Sequence, residues 1–184
     1  MIERTLATKL IALAKKFQVI TITGPRQSGK TTLVRATFST LPYVSLEEPD
    51  IRQIALTDAR GFLANYPNGA ILDEIQNTPD LFSYIQKLVD ENRKIQFILT
   101  GSSNFLLMEK ISQTLAGRTA VLHLLPLSFA ELNLDVDQYE SLIFKGQYPR
   151  IYDRGINPTD FYPAYIQTYV EKDVRLMKNI GDIN

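Results

Sequence analysis

Short apolar runs alternate with amphipathic segments along most of the chain. The runs are rich in β-branched residues and cover 17–23, 43–46, 69–74, 95–100 and 120–125. Between them, apolar residues recur at spacings of three and four, which indicates helices with one buried face. A further helical segment, whose apolar face extends from Leu6 to Phe17, precedes the first strand. Buried strands that alternate with helices are typical of a parallel sheet covered on both faces, so we predict an α/β, three-layer fold.

The pattern changes in the last part of the chain. The region 133–157 has weaker periodicity and carries glycine and proline turn residues. A last helix is predicted to begin near Thr159 or Asp160, and no segment of the chain is left to cover its apolar stripe. That stripe consists of Tyr162, Ile166, Tyr169 and Val170. We therefore expect a first domain, 1–132, followed by a mostly helical segment, 133–184, that is a linker and the start of a truncated C-terminal domain.

Composition narrows the class of protein. The content of hydrophobic residues is 45% and that of charged residues is 22%, as in ordinary soluble globular proteins. Twenty basic residues balance twenty acidic ones, so the net charge does not attract the whole chain to nucleic acid or to an anionic membrane. This balance does not exclude a local basic patch. The absence of cysteine excludes disulfides and thiolate metal sites. No apolar run approaches the roughly 18–20 residues that span a bilayer, and the amino terminus does not resemble a signal peptide, so we expect a cytoplasmic protein.

A glycine-rich loop connects the first apolar run to a helical segment. It has the pattern G-x-x-x-x-G-K-[ST], and the residues expected to bind nucleotide are Gly24, Pro25, Arg26, Gln27, Ser28, Gly29, Lys30, Thr31 and Thr32. The glycines let consecutive N–H groups and a helix N-terminus face phosphate oxygens. Lys30 would reach the β- and γ-phosphates, Arg26 would add positive charge, and the Thr31 hydroxyl would ligate Mg²⁺. A surface turn is the alternative, which the strand–loop–helix setting disfavours.

An acidic pair ends the third apolar run. Asp73 and Glu74 follow Ile71-Leu72, which is the pattern of a Walker B site. Because the carboxyl ends of parallel strands form the ligand crevice, this pair would lie beside the glycine-rich loop. Asp73 would hold Mg²⁺ through water, and Glu74 would polarise the attacking water. The alternative is an exposed acidic pair at a strand end.

The spacing of these motifs resembles the large ATPase division that includes AAA+ proteins and RecA-like motors. One strand, 43–46, lies between the loop strand and the Asp73 strand, and a glutamate follows the aspartate. The sequence has no Asn-Lys-x-Asp motif, which GTPases usually carry for guanine. The resemblance therefore implies ATP and Mg²⁺ as the cofactors.

Two further residues obtain roles from this resemblance. Thr100 ends a strand that would lie between the two Walker strands, where a polar side chain contacts the γ-phosphate or the attacking water. This role is called sensor 1; Ser102 is the second candidate, and a helix start is the alternative. Arg118 lies where AAA+ proteins place an arginine finger, which a neighbouring subunit donates, so it implies a homo-oligomer. The alternative for Arg118 is a surface charge that complements a helix dipole.

Longer strings carry a narrower resemblance, to a bacterial and archaeal AAA-family ATPase group. The strings are 22–33, 71–76, 99–103, 115–118 and 124–129. The resemblance implies a P-loop NTPase core of AAA+ (ASCE) type, with five parallel strands in the order 5-1-4-3-2. Segments 146–149 and 169–175 look like the entry to that family's C-terminal domain.

These expectations combine into an Mg²⁺-dependent ATP-binding protein and ATPase that drives or switches a C-terminal effector. The expected site residues are Lys30, Thr31, Asp73, Glu74 and Thr100, with Arg118 acting on a neighbouring subunit. A nucleotide-gated switch that rarely turns over is one alternative. A DNA-associated ATPase is another, against which the zero net charge is mild evidence.

Overall fold

The computed structural model describes residues 2–102, 105–134 and 138–170, except for the side chains of 105–107 and 169–170. The chain forms two compact units. The first, which we call the sheet unit, is Glu3–Pro126, and the second, the C-terminal unit, contains the described residues from Leu127 onward. The predicted domain limits, 1–132 and 133–184, stay a prediction.

The sheet unit contains five parallel strands. They are β1 (Val19–Thr23), β2 (Tyr43–Ser45), β3 (Ile71–Asp73), β4 (Phe97–Thr100) and β5 (Thr119–His123). Their order in the sheet is β2-β3-β4-β1-β5, which is the predicted order 5-1-4-3-2 read from the other edge. The fold class and the sheet order are therefore confirmed, and each predicted apolar run overlaps one of the strands, with β5 beginning one residue before its run.

Helices cover both faces of the sheet. Those of the sheet unit are α1 (Leu6–Ala14), α2 (Lys30–Thr37), α3 (Pro49–Thr57), α4 (Ala59–Ala64), α5 (Leu81–Glu91) and α6 (Phe105–Thr114). Helices α1 and α2 supply Leu10, Leu33 and Val34 to one core, where they meet Ile98 of β4. Residues of α3–α6 form the other core, against Phe97 and Leu99 of the same strand and against parts of its neighbours. Because side chains alternate along a strand, one strand contributes to both cores, and the apolar runs are continuous.

The C-terminal unit is helical in the residues described. It contains α7 (Tyr139–Lys145), α8 (Pro149–Arg154) and α9 (Pro158–Tyr165), which a π-helical turn, Ile166–Val170, extends. Near its start, the Ser128 and Glu131 pair makes both bonds of a capping box, from Ser128 N–H to the carboxylate and from Glu131 N–H to the hydroxyl. Nowhere in the described ranges is a helix long and apolar enough to cross a membrane.

One expectation for the C-terminal unit is wrong. The last helix begins at Pro158, so that Pro163 lies inside α9 rather than in its first turn. Of the predicted apolar stripe, Tyr162 is covered, because it packs in a cluster of aromatic residues and its hydroxyl donates to Lys145 O at 3.0 Å. The rings come from the weakly periodic region and from the helix that follows it: Tyr148, Tyr152, Phe161, Tyr162 and Tyr165. Ile166 remains half-exposed, and the side chains of Tyr169 and Val170 lie outside the described residues.

Candidate functional site

The glycine-rich loop lies between β1 and α2, at the carboxyl edge of the sheet. Gly24 has φ +145°, and a Cβ there would lie 2.1 Å from the carbonyl oxygen of Leu124, which follows β5. The first glycine is thus required by close contact with the protein's own backbone. Gly29 is left-handed, with φ 93°, and turns the chain into the N-terminus of α2. The N–H groups of the first turn of α2 have no intrahelical partner and are suited to an anion.

Lys30 is folded back into this loop. Its side chain is 5% exposed, and its ammonium donates to Gly24 O at 3.0 Å and to Pro25 O at 2.9 Å. Burial lowers the pKa of Lys30, and the nearby carboxylates of Glu74 and Asp73 act in the opposite direction. Both bonded acceptors are uncharged carbonyls, so the lysine is a buried cation that an anion would stabilise. This environment suits a phosphate group.

The other loop residues differ in their burial. Ser28 is fully buried, and within the described residues its hydroxyl oxygen has no hydrogen-bond partner. Arg26 is half-buried, and its positive charge is close enough to lower the pKa of Lys30. Gln27 and Thr32 are exposed. The buried hydroxyl and the buried ammonium are both polar groups for which a bound nucleotide would supply acceptors.

Asp73 is surrounded by hydroxyl groups. Its carboxylate is 6% exposed, and Oδ2 accepts from the hydroxyls of Thr31 and Tyr43, each at 2.8 Å. Oδ1 accepts from the Thr100 hydroxyl. The structure thus brings together the two predicted metal ligands, Thr31 and Asp73, which are 42 positions apart in the chain.

These ligand atoms fit Mg²⁺. A hydroxyl and a carboxylate are hard oxygen donors, and Mg²⁺ is usually held by one or two carboxylates together with substrate phosphates and water. The described residues contain no group of three or more His, Cys, Asp or Glu side chains that could hold a metal, and a site of this kind needs none.

Glu74 lies beyond the end of β3 in an unusual conformation. Its φ is 56° and its ψ 49°, which for a residue other than glycine costs about 1–3 kcal/mol. Its carboxylate accepts from the Gln76 amide, which also lies 3.4 Å from Ser102 Oγ. The predicted base is therefore held by a neighbour, and the second sensor candidate, Ser102, is connected to it through Gln76. The amide oxygen of Gln76 is buried and lacks a partner among the described residues.

Thr100 is in the site through its bond to Asp73, while Arg118 lies elsewhere. Thr119, the next residue, pairs with Val19 at the start of β1, so Arg118 lies at the edge of the sheet opposite the loop. Its Nε donates to Asp90 Oδ1 at 2.7 Å and its Nη2 to Oδ2 at 2.9 Å. These bonds lower the pKa of Asp90, at the end of α5. The arginine does not reach its own chain's site, and its action on a neighbour stays a prediction.

Two residues that contact the site were missed in the sequence. The Arg4 guanidinium donates to Ser28 O in the loop at 2.6 Å, and to Leu125 O at 2.6 Å and Pro126 O at 3.3 Å. Tyr43 begins β2, and burial, followed by its bond to Asp73, raises its pKa to about 12, so the hydroxyl stays protonated and donates. Neither residue belongs to a motif, and no local pattern marks either of them.

The chain is similar to a known protein family and to two uncharacterized proteins. A family model described as AAA domain matches residues 16–133. An uncharacterized protein of Mycobacterium tuberculosis is 29% identical over 176 residues, covering 94% of this chain and 40% of the relative. Another, of Methanocaldococcus jannaschii, is 29% identical over 160 residues, covering 79% of this chain and 35% of the relative. The chain thus spans less than half the length of these curated relatives.

Solved structures share the fold. The Walker-type ATPase PABY2304 of Pyrococcus abyssi superposes with a TM-score of 0.63 at 15% identity, covering 98% of this chain and 77% of that one. The replication initiator DnaA bound to AMPPCP and single-stranded DNA superposes with a TM-score of 0.55 at 16% identity, covering 99% and 70%. At these identities the likeness concerns the fold alone, which is a P-loop NTPase fold.

Proposed function

The chain belongs to the AAA domain family of P-loop ATPases, and from this we propose that its sheet unit binds ATP with Mg²⁺ and hydrolyses it to ADP and phosphate. The observation that carries the proposal is the contact between Thr31 and Asp73 beside the buried ammonium of Lys30. Thr31 and Asp73 supply one metal ligand from each of the two motifs. They lie with the buried ammonium of Lys30 beside one anion-binding loop. We propose further that the nucleotide state drives or switches a C-terminal effector.

Phosphate binding begins with an exchange of hydrogen bonds. The Lys30 ammonium leaves Gly24 O and Pro25 O, and donates instead to phosphate oxygens, which carry the charge that the carbonyls lack. The N-terminal N–H groups of α2 hold the same phosphates. Thr31 and Asp73 would hold Mg²⁺, which would supply positive charge to offset the negative charge of the phosphates during transfer. Asp73 keeps Thr31 oriented for this task, because the threonine hydroxyl donates its hydrogen to the carboxylate and turns a lone pair outward.

Water activation is assigned to Glu74. Its carboxylate accepts the proton of the attacking water as the oxygen approaches the γ-phosphorus. Thr100 is assigned to the γ-phosphate or to that water, and its bond to Asp73 keeps it beside the metal ligands. Arg118 is assigned to the transition-state charge of a neighbouring subunit, for which it must leave Asp90.

The bond from Gln76 to Glu74 favours a second candidate function, the nucleotide-gated switch with slow turnover. A base that already accepts a hydrogen bond is less available to water, so hydrolysis would be slow until a partner moves Gln76. In this function the protein holds ATP for long periods, and the bound state itself is the signal.

One experiment separates these functions. Binding of a fluorescent ATP analogue, with and without Mg²⁺, and single-turnover phosphate release are measured on the wild type and on Glu74→Gln. The amide keeps the shape but takes no proton, so we expect equal binding and about 10²- to 10⁴-fold slower hydrolysis. A wild type that binds no nucleotide contradicts both functions. A wild type that binds nucleotide, and hydrolyses it no faster than Glu74→Gln, indicates the switch.

A further inference from the structure

Asp73 Oδ2 is shared between a motif residue and a residue outside both motifs. The hydroxyls of Thr31 and Tyr43 donate to the same oxygen, each at 2.8 Å. Tyr43 pairs with Ile71, and Ser45 pairs with Asp73, in the parallel ladder of β2 and β3. Tyr43 and Asp73 therefore lie on one face of neighbouring strands, two positions apart, which is about 6.6 Å along the strand. A tyrosine side chain is long enough to bridge this offset and bring its O–H to the carboxylate.

The ring of Tyr43 is fixed by its surroundings. It packs against the core between the sheet and helices α1 and α2. The guanidinium carbon of Arg35 lies 4.6 Å from the ring centroid, within the range of a cation–π contact. Arg35 belongs to α2, the helix that begins with Lys30. Tyr43 thus connects β2, β3 and the phosphate-binding helix through one side chain.

We propose that Tyr43 is a positioning residue for Asp73 and sets the affinity of the site for nucleotide-bound Mg²⁺. This inference rests on the proposed function. Thr31 has two tasks, because its oxygen ligates the cation while its hydrogen goes to Asp73. The Tyr43 hydroxyl donates to Asp73, has a further hydrogen bond with the Ser45 side chain, and lies outside the ligand set. Of the two hydroxyls that donate to Asp73 Oδ2, that of Tyr43 is not a metal ligand. It therefore keeps the carboxylate oriented when the metal binds and dissociates.

The test is a Mg²⁺ titration of nucleotide binding with Tyr43→Phe. Phenylalanine keeps the ring and its contact with Arg35 and removes only the hydroxyl. We expect the half-saturating Mg²⁺ concentration to rise about tenfold, as for other groups that orient metal ligands. Affinity for the fluorescent ATP analogue in EDTA should stay unchanged, because Tyr43 acts through the metal. Tyr152→Phe is the matched control: it removes a hydroxyl bonded to Gly146 O at 2.6 Å in the C-terminal unit, and should alter neither quantity.

A second background shows whether Tyr43 acts through Asp73. In Asp73→Asn, adding Tyr43→Phe should shift the Mg²⁺ midpoint no further, because the coupled carboxylate is gone. If Tyr43→Phe does not fold, Arg35→Met, which keeps the hydroxyl but removes the cation–π contact that helps to fix the ring, should raise the midpoint in the same direction.

The outcomes are distinct. An unchanged midpoint in folded Tyr43→Phe, or in Arg35→Met used in its place, overturns the positioning role and leaves the proposed function intact. So does a shift that persists in Asp73→Asn. A wild type without Mg²⁺-dependent nucleotide binding overturns the proposed function and the role of Tyr43 together.

Discussion

Replacing Lys30 by methionine isolates the charge of the buried ammonium. The residue is 5% exposed and enclosed by the loop, so methionine, which has a similar unbranched stem, fills the space that alanine would leave empty. In the free protein the change removes two bonds, to Gly24 O and Pro25 O. In the complex it removes charge-assisted bonds to phosphate. A hydrogen bond to a charged group contributes about 1.5–3 kcal/mol, so we expect ATP to bind about 10- to 150-fold more weakly.

The measurement is a titration with a fluorescent ATP analogue at fixed Mg²⁺ and salt. Lys9→Met is the control, because Lys9 is an exposed lysine on α1 and its replacement should leave the affinity unchanged. Thermal melting of both variants shows that the fold is retained. Wild-type affinity in folded Lys30→Met would refute the assignment of the loop as the phosphate site.

Two other changes test the proposed role of Arg118 and the close contact at Gly24. Arg118→Ala should bind ATP as the wild type does, but its specific activity should no longer rise with protein concentration. The pKa of Asp90, lowered by Arg118, should return towards 3.8 in an NMR titration, and an unmoved pKa would disprove the pairing. Gly24→Ala should destabilise the protein by about 2–4 kcal/mol in urea unfolding, through the clash beyond β5 and the strained φ. Gly117 has φ +75°, and apart from its chain neighbours no atom of the described residues lies within 4 Å of an added Cβ. Gly117→Ala should therefore lower the free energy of unfolding by only about 1–2 kcal/mol, and equal losses in the two variants would contradict the clash at Gly24.

The sequence was sufficient to predict the sheet and the meeting of Thr31 with Asp73. Both depend on strong local signals, which are continuous apolar strands and a loop whose glycines have few substitutes. Parallel topology then brings the ends of β1 and β3 to one edge, so that a contact across 42 positions follows from two short motifs. The order of the strands came from the resemblance of those motifs to a known family.

The sequence was insufficient for contacts that depend on register and side-chain length. In the sequence, Tyr43 is an ordinary strand-forming residue. Its hydroxyl reaches the site because Tyr43 lies two positions from Asp73 along the paired strands β2 and β3. Gln76 bonds Glu74, which adopts a left-handed conformation, and no sequence pattern predicted either feature. The packing around Tyr162 on α9 was missed for a related reason. Tyr148 and Tyr152, which cover it, come from a region whose aromatic residues follow no helical period.

The three bonds made by Arg4 have a practical consequence for recombinant work. The residue precedes α1, yet it donates to the phosphate loop at Ser28 O and to the chain beyond β5 at Leu125 O. A fragment that begins at β1 would lose these hydrogen bonds of Arg4. It would also lose α1, whose Leu10 is fully buried against the sheet. Such a fragment would report the properties of a loosened loop. Expression boundaries and affinity tags therefore belong upstream of Arg4.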